Sequence, residues 1–104
     1  MNLKELLRDI PGLQVEGDAE VEISGLAYSS KQVQPGFLFA ALRGEKRDGH
    51  EFIGEAISHG ARAILSERPK PPNMTAAWVE TEDARETLAL TAASFYGHPS
   101  LQMK

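Results

Sequence analysis

The residues with the most chemistry to offer stand in one run, Gly44-Glu45-Lys46-Arg47-Asp48-Gly49-His50. A second group lies upstream, the hydroxyls of Tyr28, Ser29 and Ser30 followed by the ammonium of Lys31. The two glycines of the run permit positive φ or a close approach of backbone to a ligand. Bond-making roles narrow quickly. Asp48 is of the type used as a general base, yet its place ahead of Glu51, Phe52 and Ile53 reads first as a helix cap, a role that its short side chain serves well. His50, His59 and His98 lack the i, i+4 pairing with a third ligand that a zinc site needs. The chain has no cysteine, hence no thiolate nucleophile, disulfide or sulfur-ligated zinc. Gly-x-x-x-x-Gly-Lys-Ser/Thr does not occur either, so the backbone cradle of a P-loop is missing. Polar recognition of a ligand remains, without a catalytic group.

The elements around these residues say where that recognition would sit. Phe37 to Leu42 is wholly apolar, as suits a strand covered on both faces, and the polar loop after it falls at the strand's carboxyl end, where open α/β sheets hold ligands. Gln34-Pro35-Gly36 is a turn before it. Leu3, Leu6, Leu7 and Ile10 share one face of a helix capped by Asn2, with Glu5 completing a capping box and Pro11-Gly12 ending it. Leu13 to Glu16 and Val21 to Ile23 alternate around Gly17-Asp18, which predicts a hairpin-like antiparallel pair with one wet face, continued outward by Gly25 to Ser30. Asp48 with Glu51 predicts a helix through Phe52, Ile53, Ala56 and Ile57, stopped at Gly60. Ala61 to Leu65 and Ala76 to Val79 read as strands on either side of a rigid surface loop, Pro69 to Asn73. Asp83 with Glu86 opens a long helix whose Leu88, Ala92 and Phe95 share a face until Gly97-His98-Pro99. Trp78 is expected in the core or at a domain junction. The fold class is therefore α/β, a single small domain over residues 1–104 with a mixed sheet flanked by helices. Strand order stays open.

Composition sets the outer bounds. With 104 residues, 41% of them apolar, the chain has room for one modest core. The net charge of −4 and the absence of any basic block longer than Lys46-Arg47 give no nucleic-acid footprint. The amino terminus has no signal-peptide core, and no stretch approaches the ~18 apolar residues of a membrane span. A soluble cytoplasmic domain, with neither nucleic acid nor membrane as partner, is the expectation.

Several pieces in order carry a family likeness. They are Gly25-Leu26, Ser29-Ser30-Lys31, Pro35-Gly36-x-Leu38-Phe39-x-Ala41-Leu42-x-Gly44, Asp48-Gly49-His50-x-Phe52-Ile53, Ala56, Gly60-Ala61 and Phe95-Tyr96-Gly97-x-Pro99-Ser100. Together they resemble the amino-terminal domain of the Mur ligases, cytoplasmic amide ligases of peptidoglycan synthesis. The Phe-Tyr-Gly-x-Pro-Ser ending looks most like the members that add a diamino acid, meso-diaminopimelate or L-lysine, to UDP-N-acetylmuramoyl-L-alanyl-D-glutamate. The D-alanyl-D-alanine-adding members share much of the central motif. The resemblance implies that this domain holds the uridine end of the UDP-N-acetylmuramoyl-dipeptide. It also implies that ATP and Mg2+ belong to a central domain of the same chain beyond Lys104, so that residues 1–104 alone are inactive. A stand-alone protein-interaction module is the alternative from another class.

The resemblance carries a role to specific positions. Ser30 is expected to meet the uracil or its ribose. Tyr28 is a candidate by its own chemistry, a flat face with a hydroxyl, and otherwise a core or edge aromatic, whereas Gly44, Glu45, Lys46 and Arg47 fall on the stretch through which related enzymes touch the uridine. Backbone contacts there would tolerate the side chains present, and Lys46 and Arg47 either draw the diphosphate or form a solvated face. Where the family commonly has Asp-Ser-Arg, this chain has Ser29-Ser30-Lys31. The hydroxyl is kept, the acid is lost, and the planar fork of arginine becomes a point charge.

Overall fold

The apolar run beginning at Phe37 forms an inner strand of a five-stranded sheet in the computed structural model, which describes residues 2–8, 10, 12–42, 49–72, 74 and 76–96, with backbone alone for 49 and 50. The strands are β1 (Gln14–Glu16), β2 (Gly25–Ala27), β3 (Phe37–Ala40), β4 (Ala63–Ser66) and β5 (Ala77–Glu80), in the spatial order β1-β5-β4-β3-β2. β2, β3, β4 and β5 are parallel, and β1 runs antiparallel along β5. The mixed sheet expected from the sequence is present.

Its antiparallel member has a different partner from the expected hairpin. β1 pairs with β5 at the far end of the chain, Val15 opposite Val79, and Val21 to Ile23 forms no strand. The reason lies in the helix α1 (Leu3–Leu7), whose first N–H groups have no partner within the helix. Leu3 N–H donates to the Val21 carbonyl at 2.9 Å and Lys4 N–H to the Ala19 carbonyl at 2.7 Å. These acceptors are thereby committed to a helix end, and only an isolated bridge, Asn2 to Glu22, remains of the strand pairing. Gly25 to Ala27 departs from the outward continuation too: it is the parallel edge strand beside β3, with Gly25 and Ala27 buried.

Alternation along the central strands divides the core in two. Leu38, Ala40, Ala63, Leu65, Ala77 and Val79 face one side, against Leu3, Leu6 and Leu7 of α1 and Leu88 and Phe95 of α3 (Ala84–Tyr96). Phe39, Ala41, Ile64 and Trp78 face the other, against Ile53 and Ala56 of α2 (Ile53–Ser58). The chain steps from β2 to β3 to β4 to β5 in one direction across the sheet. Right-handed crossovers then place every connection on the same face. Val33, α2, Met74 and Ala76 from those connections all pack on the Trp78 side. The opposite face is left to the elements before and after the parallel strands, α1 and α3.

Local signals account for the helix ends. Asn2 accepts from Glu5 N–H at 2.8 Å while the Glu5 carboxylate accepts from Asn2 N–H at 3.3 Å, the capping box expected. Asp83 caps α3 by accepting from Glu86 N–H at 3.0 Å. Asp48 lies outside the described residues. α2 itself begins at Ile53 after a 3-10 turn, Gly49–Phe52, and Gly60, at φ 107°, follows its end. Trp78 is a core residue, 1% exposed, with its indole N–H donated to the Arg68 carbonyl at 2.8 Å. α3 holds a surprise: its fully covered positions are Ala84, Thr87 and Thr91, while Leu88, Ala92 and Phe95 are half-buried. The threonines satisfy themselves, Thr87 Oγ1 with Thr81 Oγ1 at 2.7 Å and Thr91 Oγ1 donating to the Thr87 carbonyl at 2.6 Å. Gly97 to Pro99, the expected stop, lies outside the described residues.

Candidate functional site

A cleft of about 810 Å³ opens just past the carboxyl ends of β2 and β3. Nucleosides and small cofactors occupy pockets of roughly 300–1,000 Å³, apolar over most of their walls with a few placed polar groups. One wall follows β2 directly and presents Tyr28, Ser29, Ser30 and Lys31. The floor and apolar wall are Phe39, Leu42, Phe52, Leu88 and Ala92, and two charged side chains, Glu55 of α2 and Arg85 of α3, complete it. Both helical layers therefore reach the cleft. Its apolar surface suits a flat ring, and its polar groups supply carboxylate, hydroxyl, ammonium and guanidinium within one concavity.

The polar wall is held from below. Ser29 caps a 3-10 turn, Ser30–Gln32, by accepting from Lys31 N–H at 3.3 Å. The cap role open to a serine here thus falls to Ser29 and leaves the Ser30 side chain to point elsewhere. Ser30 is 7% exposed, and its Oγ–H donates to Glu55 Oε2 at 2.5 Å. The Ser30 carbonyl lies 2.8 Å from Nδ1 of His59. A carbonyl only accepts, so Nδ1 carries the proton. One turn of α2 and the residue after it hold both the side chain and the backbone of Ser30.

Of the residues singled out in the sequence, Tyr28 and Ser30 meet in this cleft, Tyr28 with 64% of its surface exposed. Gly44, Glu45, Lys46 and Arg47 lie outside the described residues. Leu42, two positions before them, lines the cleft. Glu55 and Arg85 were missed. Each stands on the polar side of an amphipathic helix, and no spacing marks it off from a solvated charge. Phe52, Leu88 and Ala92, expected on the apolar sides of their helices, form the half-buried apolar wall. Among the described residues no group of three His, Asp or Glu side chains is gathered to hold a metal. The sequence holds no P-loop either.

Four parallel strands stepping one way, with a cleft at the strand ends bordered by both helical layers, define an open α/β domain with a candidate ligand site. The model described as "Mur ligase family, catalytic domain" matches residues 22–96, and the chain belongs to the Mur ligase family. It is similar to two proteins named UDP-N-acetylmuramoyl-L-alanyl-D-glutamate--2,6-diaminopimelate ligase. That of Solibacter usitatus is 44% identical over 95% of this chain and 20% of the relative. That of Syntrophomonas wolfei is 43% identical over 100% of this chain and 21% of the relative. The chain spans about a fifth of the length of these relatives. In three dimensions it resembles MurF from Acinetobacter baumannii, with a TM-score of 0.78 at 23% identity over 95% of this chain and 22% of that one. This likeness bears on fold alone. MurF ligase from Thermotoga maritima, solved in complex with ADP, matches 75% of this chain and 17% of that one at 33% identity and TM-score 0.59.

Proposed function

We propose that residues 1–104 are the amino-terminal, nucleotide-holding domain of a ligase that joins a diamino acid to UDP-N-acetylmuramoyl-L-alanyl-D-glutamate, and that the cleft takes the uridine end. The observation that carries this reading is the meeting of Tyr28 and Ser30 with an apolar wall in a cleft at the carboxyl ends of β2 and β3. Identities of 34–44% along the chain to proteins named as diaminopimelate ligases support that member of the family. Uracil offers two carbonyl acceptors and one N–H donor on a flat ring. The hydroxyls and backbone of residues 28–31, with Gly44 to Arg47, would read its edge, and Phe39, Phe52 and Leu88 would cover its face. Lys31 and Arg85 supply positive charge for the diphosphate.

In this reading the domain makes no bonds. Holding the nucleotide end fixes where the peptide carboxylate lies, and orientation of this kind removes much of the entropic barrier of the later reaction. ATP and Mg2+, whose chemistry is to activate that carboxylate, are assigned to the four-fifths of the relatives' length outside this chain. The setting is the cytoplasm, where nucleotide-linked precursors are made; no helix of the described residues is long and apolar enough to cross a membrane. Thermal unfolding tests the reading. UDP and UDP-N-acetylmuramoyl-dipeptide should raise the Tm of the chain in a concentration-dependent way, as ligands of the folded state do. An equal rise with ADP would contradict uridine recognition.

A further inference from the structure

A serine hydroxyl has one proton to donate and two lone pairs that accept. In Ser30 the proton is already committed, since Oγ donates to Glu55 Oε2 at 2.5 Å. A carboxylate has only lone pairs and cannot reverse the bond. The rest of the residue has no freedom to swing, because its carbonyl is held 2.8 Å from Nδ1 of His59. Ser30 nevertheless lines the cleft, although it is only 7% exposed. What it presents there is a lone pair.

We infer that Ser30 meets the nucleoside as a hydrogen-bond acceptor, and that Glu55 is the positioning residue that fixes this polarity. The ligand atom opposite Ser30 must then be a donor, either the imide N–H of the base or a ribose hydroxyl, and not a uracil carbonyl. Glu55 thus determines specificity through Ser30: a base with an acceptor at that place would set two lone pairs against each other. The inference rests on the uridine reading of the cleft and adds the sense of one hydrogen bond in it.

The test compares UDP with N3-methyl-UDP, 2′-deoxy-UDP and 3′-deoxy-UDP on the 104-residue chain and on Ser30→Ala, Glu55→Leu and Glu55→Gln. On the unmutated chain, one analogue, the one lacking the partner donor, should bind about five- to tenfold more weakly than UDP, the size of one net hydrogen bond. Ser30→Ala should weaken UDP by a similar factor and leave that analogue unchanged, so discrimination disappears; Glu55→Leu frees the Ser30 hydroxyl to donate as well as accept, so discrimination should shrink. Glu55→Gln, whose amide oxygen still accepts from the hydroxyl, should restore it. If UDP binds but no analogue is discriminated, or Ser30→Ala and Glu55→Leu weaken all four ligands equally, the acceptor role is overturned while the uridine reading stands. If UDP does not bind the unmutated chain at all, the uridine reading falls and this inference falls with it.

Discussion

Nδ1 of His59 lies 2.8 Å from the carbonyl oxygen of Ser30 and ties the end of α2 to the first turn after β2. The two residues are 29 positions apart, and β3 lies between them in the chain. With the Glu55 contact one turn earlier, this bond makes the polar wall of the cleft part of the folded core and not a free loop. His59→Ala should cost about 1 kcal/mol, the usual net value of one hydrogen bond. It should also shift the amide resonances of residues 29–32. Urea unfolding and an amide spectrum check both; unchanged stability together with unmoved resonances would contradict the tie.

Gly60 accepts from Gly36 N–H through its carbonyl at 2.9 Å, at a φ of 107°. A Cβ added there would lie 2.5 Å from Pro35 Cα. Positive φ alone costs an L-residue roughly 1–2 kcal/mol, and the obstructing atom is backbone. Gly60→Ala should therefore destabilise by about 3 kcal/mol or more, read as a lower urea midpoint with little change in slope.

Across the β2–β3 ladder Gly25 faces Phe37, and a Cβ on Gly25 would stand 2.4 Å from the ring. Gly25→Ala should displace the ring at about 1–3 kcal/mol, as overpacking does. Gly25→Ala combined with Phe37→Leu should recover part of the loss in thermal unfolding.

The threonine stripe of α3 gives an asymmetric outcome. Thr87→Val removes the Thr87 hydroxyl from Thr81, whose Oγ1 keeps only the Asp83 N–H at 3.3 Å, both side chains being nearly fully covered. A buried hydroxyl that loses a hydrogen bond costs about 1–3 kcal/mol. The double variant Thr81→Val with Thr87→Val should cost less than the sum of the two single changes, by a double-mutant cycle.

Much of this fold is legible in the chain because its strongest signals are local. The Asn2–Glu5 box, the Asp83–Glu86 cap and the Phe37 run each depend on residues within a few positions, and each stands where expected. The hairpin fails for a non-local reason. Alternation marks Val15 as strand, but its partner is chosen by which edge of the sheet lies open, and that edge belongs to β5. The carbonyls of Ala19 and Val21 are meanwhile claimed by α1. Ser30 is singled out by family likeness and Tyr28 by its ring and hydroxyl, and both line the cleft. Glu55 escaped because it is 25 residues from Ser30, and a helical glutamate looks like any solvated one until the turn after β2 is folded against it.

The most direct measurement is an NMR titration of the labelled chain with UDP, with ADP as control. Saturable shifts confined to the amides of residues 28–31, Glu55, and Gly44 to Arg47, for UDP and not for ADP, are the expected result. Equal shifts with both nucleotides, or shifts elsewhere on the fold, would contradict a uridine site at the ends of β2 and β3.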